Sequence, residues 1–169
     1  MTSPIKVLTR IFQSCAVAML FSTSVPSHAD NFRPFTDGSF EQIKGSFAGG
    51  EFLVGLWSVD CPPCLVELDM MGEVLKLNPD FPFVLISTDS IDDREFAAEF
   101  LEEFDLHQKE SWMFADNFEE RLRYSIDPNW FGELPRSYFF DSDHQMNAHS
   151  GIMTAELLQA WFSRDITFP

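Results

Sequence analysis

Cysteine is scarce in this chain, with three among 169 residues, at positions 15, 61 and 64. Basic side chains are scarce too, 11 Lys and Arg standing against 27 Asp and Glu. That imbalance argues against binding to phosphate backbones or to anionic membranes, so no nucleic acid is expected as a partner. A basic partner would be favoured electrostatically, although a solvated acidic surface is the plainer account. A long uninterrupted apolar run is also missing. The best stretch, residues 11–25, is broken by Gln13, Ser14, Ser22 and Ser24, which makes it a poor membrane span. No nucleotide-binding or flavin-binding motif, internal repeat, low-complexity tract or second domain can be found.

What the N-terminus does hold is a processing pattern. Lys6 and Arg10 precede the apolar run, and Ser27 and Ala29 place small residues at the −3 and −1 positions of a cleavage site before Asp30. Residues 1–29 are therefore expected to be a cleaved signal peptide, with an uncleaved anchor as the alternative, and residues 30–169 one domain. Cys15 lies at the front of the apolar run, not behind it, which argues against a lipid-modified cysteine. Cleavage would leave nine Lys and Arg against 27 Asp and Glu, a net charge of −18. It would also leave only Cys61 and Cys64, in a compartment where disulfides persist, with a periplasmic location expected.

These two cysteines sit in Trp57-Ser58-Val59-Asp60-Cys61-Pro62-Pro63-Cys64, between an apolar run and a segment of helical periodicity. At a strand-to-helix junction the first sulfur meets unpaired N–H groups and the positive end of the helix dipole, which stabilise a thiolate. The second lies one turn further on, within disulfide reach. Pro62 suits the first helical turn, where its missing N–H would have no partner anyway. A loop this short stabilises little when closed, so a reversible dithiol/disulfide is expected instead of a structural staple.

Periodicity predicts a lead-in without period over 30–37 and a helix over 39–47. Strands follow at 51–57, 83–87, 111–114, 136–141 and 144–149, the last two joined by a turn at Ser142-Asp143. Helices are predicted from Cys61 to about Leu77, from Ser90 to Phe104, over 117–126 with Phe118, Leu122 and Ile126 inward, and from Thr154 onward. The stripe of the second of these is Phe96, Ala97, Phe100, Leu101 and Phe104. From residue 51 the order is β-α-β-α-β-α-β-β-α. It implies an α/β fold, with a mostly parallel central sheet, a C-terminal β-hairpin and helices on both faces.

The motif through Cys64, followed by Glu67, resembles the active site of the TlpA-like branch of the thioredoxin superfamily. Gly132-Glu133-Leu134-Pro135-Arg136-Ser137-Tyr138-Phe139-Phe140-Asp141 is similar to that family's loop and strand carrying a cis-proline. The resemblance covers roughly residues 39–165. It implies a thioredoxin-like fold in an exported thiol–disulfide oxidoreductase that reduces protein disulfides, some members preparing apocytochromes for haem attachment. Cys61 would be the nucleophile and Cys64 the resolving thiol. Glu67 would take the proton of Cys64, and Pro135, in cis, would pack on the sulfurs while the Leu134 backbone pairs with substrate. Pro62 and Trp57 would flank the substrate, Trp57 being equally readable as a core aromatic. Trp130 and Phe131 would form an apolar lip or else pack as loop residues.

The implied cofactor set is the Cys61–Cys64 disulfide alone, with no metal. The implied partners are a disulfide-containing exported protein and a membrane or exported thiol electron donor, the chain itself acting as a monomer. Two departures stand out. Asp60 occupies a position where the family usually has Trp, and an anion close to Cys61 opposes thiolate formation. Gly55 stands where thioredoxin has a buried acid. A different reading of the same sulfurs is a Cu(I) metallochaperone, since soft thiolates suit Cu(I). His144, Met146 and His149 fall on the predicted hairpin, with no spacing that ties them to Cys61.

Overall fold

The computed structural model describes residues 32–169. The signal-peptide segment and Cys15 therefore lie outside the described residues. Six strands form one sheet in the order β1-β4-β3-β2-β5-β6. They are β1 (Phe32–Phe35), β2 (Phe52–Trp57), β3 (Phe83–Ser90), β4 (Glu110–Phe114), β5 (Arg136–Phe140) and β6 (Met146–Ser150). The helices are α1 (Ser39–Ser46), α2 (Pro62–Leu77), α3 (Arg94–Glu103), α4 (Glu119–Ile126) and α5 (Ala155–Trp161). Strands β1, β4, β3 and β2 run parallel, whereas β5 is antiparallel to both β2 and β6. The sheet is thus mixed, its antiparallel part reaching inward to the central strand β2.

Strand β2 shows why the sheet lies where it does. All six of its residues are buried, and alternation sends them to two cores. Leu53 and Trp57 join a cluster with Leu68, Met71 and Val74 of α2, Leu101 of α3 and Leu158 of α5. Phe52, Val54 and Leu56 join another with Phe40 and Ile43 of α1 and Leu122 and Ile126 of α4. Helices therefore cover both faces. Much of the second core is phenylalanine, with Phe47, Phe52 and Phe140 stacked at 4.6 Å between successive ring centroids.

Helix boundaries follow from short polar groups. Cys61 occupies the N-cap of α2 and Pro62 its first position. At the other end the Asn78 side chain donates to Val74 O at 2.7 Å, just before Pro79. The Ser90 hydroxyl accepts from Asp92 N–H, but it caps a single 3₁₀ turn, and α3 proper starts at Arg94. Thr154 caps α5 by accepting from Leu157 N–H at 3.2 Å.

Three expectations need correction. Residues 32–35 are an edge strand, paired in parallel with β4; Pro34 lacks a donor, and an edge tolerates that. Phe118 is 65 % exposed because α4 begins one residue later. Its N–H is taken by the Asp116 carboxylate, and Arg121 lies over its ring. On α3, Ala97, Ala98 and Leu101 form the buried face, while Phe96 stands half-exposed against the edge of Phe100.

Gly72 lets α2 and α3 approach closely. A Cβ there would stand 2.1 Å from the Phe104 carbonyl oxygen at the end of α3. Alanine normally improves a helix interior by up to about 1 kcal/mol over glycine. Here Gly72→Ala is expected to destabilise by roughly 1–3 kcal/mol, because a backbone must move. Urea unfolding of the oxidised protein reads the sign directly.

Candidate active site

The site begins where β2 ends. Cys61 and Cys64 are joined by a disulfide, with the sulfurs 2.03 Å and the Cα atoms 5.2 Å apart. The two are not equally placed, Cys61 being 9 % exposed and Cys64 only 1 %. Cys64 N–H donates to Cys61 Sγ at 3.3 Å, so the first sulfur already sits on a free amide of the helix start. Cys61 is thus the less deeply buried of the two.

The connecting loop is held from the neighbouring strand. Strand β3 carries an irregularity between Ser87 and Ser90 that interrupts its register with β4. Bulges of this kind re-aim side chains, and Asp89 lies inside it. Its Oδ1 accepts from the Ser58 hydroxyl at 2.7 Å, and its Oδ2 from Val59 N–H at 3.0 Å and the Ser87 hydroxyl at 2.7 Å. Ser58 in turn accepts from Asp60 N–H through its hydroxyl and from Cys61 N–H through its carbonyl. One carboxylate therefore anchors the approach to Cys61. Asp60 itself is exposed.

Glu67, one helical turn beyond Cys64, is 5 % exposed. Its Oε1 accepts from the Ser137 hydroxyl at 3.2 Å, and its Oε2 from Met153 N–H at 2.6 Å. Burial pushes its carboxyl above the ordinary glutamate range, and those two bonds pull it only part of the way back. Gly55 pairs directly with Ser137 across β2 and β5 and brings no side chain of its own.

The Leu134–Pro135 peptide bond is cis, and Pro135 is buried. Pro135 lies one residue beyond the Arg136–Leu56 pair, level with Trp57, where the strand turns into the cysteine loop. Leu134 is packed against the cluster that contains both cysteines. On the other side of the sheet the Asp127 carboxylate, also buried, receives Arg136 at 2.9 Å and the Tyr138 hydroxyl at 3.2 Å. Burial alone would raise the carboxyl of Asp127, but the Asn129 N–H, Arg136 and Tyr138 together hold it below the usual range. Glu133 adds a contact to Arg136 and accepts from the Ser150 hydroxyl. The segment before Pro135 is thereby tied to both β5 and β6.

The remaining candidates divide. Pro62 is exposed beside Cys61. Trp57 is buried in the same cluster as the two cysteines, its indole N–H without a hydrogen-bond partner, so it is core and offers no substrate surface. Trp130, too, takes the packed reading over the lip. It is 4 % exposed in the opposite core, its indole N–H bound to Glu133 O at 2.9 Å. Its neighbour Phe131, at 90 % exposure, is the residue that faces solvent. His144 packs against Phe52 and His149 against Trp161, apart from one another. Among the described residues no group of three or more His, Cys, Asp or Glu is arranged to hold a metal ion.

Asp89, Ser137 and the Met153 amide were not anticipated. Asp89 and Ser137 had a faint signal, as polar residues at the end of or within strongly apolar strands. The Met153 amide had none, because a backbone donor carries no side-chain signature. Asp89→Ala is expected to lower stability by about 2 kcal/mol and to speed hydrogen exchange at the Val59 amide. An unchanged Val59 amide would mean that something else holds the loop.

No protein-family model matches the chain, and no curated protein does. Solved structures do. A secreted disulfide oxidoreductase of Mycobacterium tuberculosis, described as homologous to Escherichia coli DsbE, is 21 % identical with a TM-score of 0.56, over 69 % of this chain and 82 % of that one. A secreted thiol-disulfide isomerase from Corynebacterium glutamicum aligns at 17 % identity and a TM-score of 0.57, over 69 % and 71 %. A thiol:disulfide interchange protein of the thioredoxin family from Chlorobium tepidum aligns at 18 % and 0.53, over 69 % and 80 %. At these identities the likeness concerns the fold alone. The chain has a thioredoxin-like fold with a Cys61–Cys64 disulfide at the C-terminal end of its central strand.

Proposed function

We propose that the protein is an exported thiol–disulfide oxidoreductase of the TlpA-like type, which reduces disulfides in other exported proteins, cytochrome c maturation being one such setting. The observation that carries this reading is the unequal Cys61–Cys64 pair at the start of α2, with a buried carboxylate one turn behind it. The secreted oxidoreductases of similar fold support it.

The cycle starts from the dithiol. The Cys61 thiolate attacks one sulfur of the substrate disulfide, forming a mixed disulfide and releasing the other substrate sulfur as a thiolate. Cys64 gives its proton to Glu67 and attacks Cys61 Sγ. The bond from Cys61 to substrate breaks, the Cys61–Cys64 disulfide forms, and the second substrate sulfur leaves as a thiolate. Two electrons pass from the protein to the substrate, and the Glu67 proton goes on to solvent or product. The dithiol is the only redox group this requires. Electrons to restore it come from another exported or membrane thiol protein. Pro62 and Leu134 border the approach to Cys61.

The deciding measurement is the reduction potential of the pair in graded thiol/disulfide buffers. A value around or below about −230 mV is expected for a reductant, and one near −120 mV would make the protein an oxidant. A pair that forms no reversible disulfide but binds one copper per chain would point to a Cu(I) carrier. Cys61→Ser is expected to abolish exchange, and Cys64→Ser to accumulate the mixed disulfide, visible by mass.

Glu67 also leaves a mark on stability. Folded, it holds its proton more tightly than an unfolded glutamate with a pKa of about 4.3. Its contribution is therefore complete below that value and is lost as pH rises through the raised folded pKa. Glu67→Gln keeps the bond from Met153 N–H at its amide oxygen and, with the Ser137 hydroxyl turned to accept from its amide N–H, the second contact as well, without the charge. It is expected to remove this slope and gain stability over the parent at neutral pH, while slowing resolution of the mixed disulfide. Paired urea titrations across pH 4–8 test this.

A further inference from the structure

The carboxylate of Glu67 is held by two donors of different kinds. Met153 N–H can only donate, and its bond to Oε2 is short at 2.6 Å. Ser137 Oγ can either donate or accept, and it faces Oε1 at 3.2 Å from a position 1 % exposed. A proton added at Oε2 would weaken the Met153 bond. A proton added at Oε1 meets a hydroxyl that can turn and accept it.

We propose that Ser137 is the positioning residue for proton transfer at this site, directing the proton of Cys64 to Oε1 of Glu67 and holding it there by switching from donor to acceptor. The inference rests on Glu67 acting as the base. The transfer breaks the Cys64 S–H bond and forms the Glu67 Oε1–H bond, and the electron pair left on sulfur makes the new disulfide as the substrate thiolate departs. No other redox partner enters.

The surroundings leave Ser137 without a rival on its side of the sheet. Across β5 and β2 it faces Gly55, and across β5 and β6 it faces His149, whose Nε2 is 3.4 Å from Ile152 O. Arg136 and Tyr138 alternate to the other face and are engaged by Asp127. From α5, Leu158 and Phe162 close the cluster with apolar surface. Among the described residues, Cys64 on its own helix and His149, paired with Ser137 from β6, are the titratable groups these contacts bring to Glu67.

The test uses an aromatic disulfide whose thiolate is coloured. The mature protein, reduced, releases one coloured thiolate when Cys61 attacks and a second when Cys64 resolves the mixed disulfide. Stopped-flow pH jumps on that mixed disulfide give the pH midpoint of the second release. In Ser137→Ala the carboxylate loses a charge-assisted bond, which outweighs the weaker bond lost by the neutral acid. The midpoint is expected to move up by about one pH unit or more. Near tenfold slowing at a fixed pH on the rising limb follows, and Ser137→Thr should restore it.

A Ser137→Ala midpoint equal to the parent's, with the limb still lost in Glu67→Gln, would overturn the role of Ser137 alone. A limb that survives in Glu67→Gln and vanishes in His149→Asn would overturn the base assignment and this inference with it. Should Ser137→Ala fold poorly, Ser137→Gly gives the same comparison.

Discussion

A carboxylate removed from water must be hydrogen-bonded or neutral, and in this protein both demands fall on Glu67. Its two oxygens reach different parts of the chain, one a strand hydroxyl at Ser137 and the other a backbone amide at Met153. The helix that carries the cysteines is thereby joined to β5 and to the link between β6 and α5. Sequence separations of 70 and 86 residues are bridged by one side chain. The reactive end of α2 and the strand that follows Pro135 are registered to each other through this group.

Around it the fold separates rigidity from reactivity. Two apolar cores on opposite faces of the sheet hold β2 from both sides, so the strand end that delivers Cys61 has little freedom. Asp89 then holds the loop between strand and helix, and Asp127 with Arg136 holds the loop on the far side of the site. Each of these carboxylates is surrounded by donors, which is what a partly buried anion requires. The disulfide lies between the two anchored loops, Cys61 being the less deeply buried of its residues.

Much of this was legible in the chain. The cysteine motif, helices opening at Cys61 and Thr154 to within one residue, and the strands ending at Trp57 and beginning at Arg136 all rest on local rules, and local rules can be read from local sequence. Where a strand was missed, the local signal contradicted the outcome. Residues 32–35 contain a proline and no alternation, and only the free edge of β4 makes them a strand. Phe118 and Phe96 fit an apolar helical stripe, yet a two-residue shift in where α4 begins, and the small residues chosen by α3, put both at the surface. For Trp130 the sequence left a surface lip and a packed loop residue equally open, and the structure buries it, its indole N–H bound to a carbonyl.

The sequence by itself determined the chemistry available, since two cysteines three positions apart at a helix start form a closed and reversible unit. It also determined the order of the elements from β2 onward and the strongly acidic character of the chain. Only the tertiary structure decided which cysteine is the less deeply buried, which glutamate among many is buried, and which donors hold it. Those are properties of segments far apart in the chain, brought together when the two cores close. No pattern within a short window encodes the depth of Cys64 or the amide of Met153, because both are set by what packs against them.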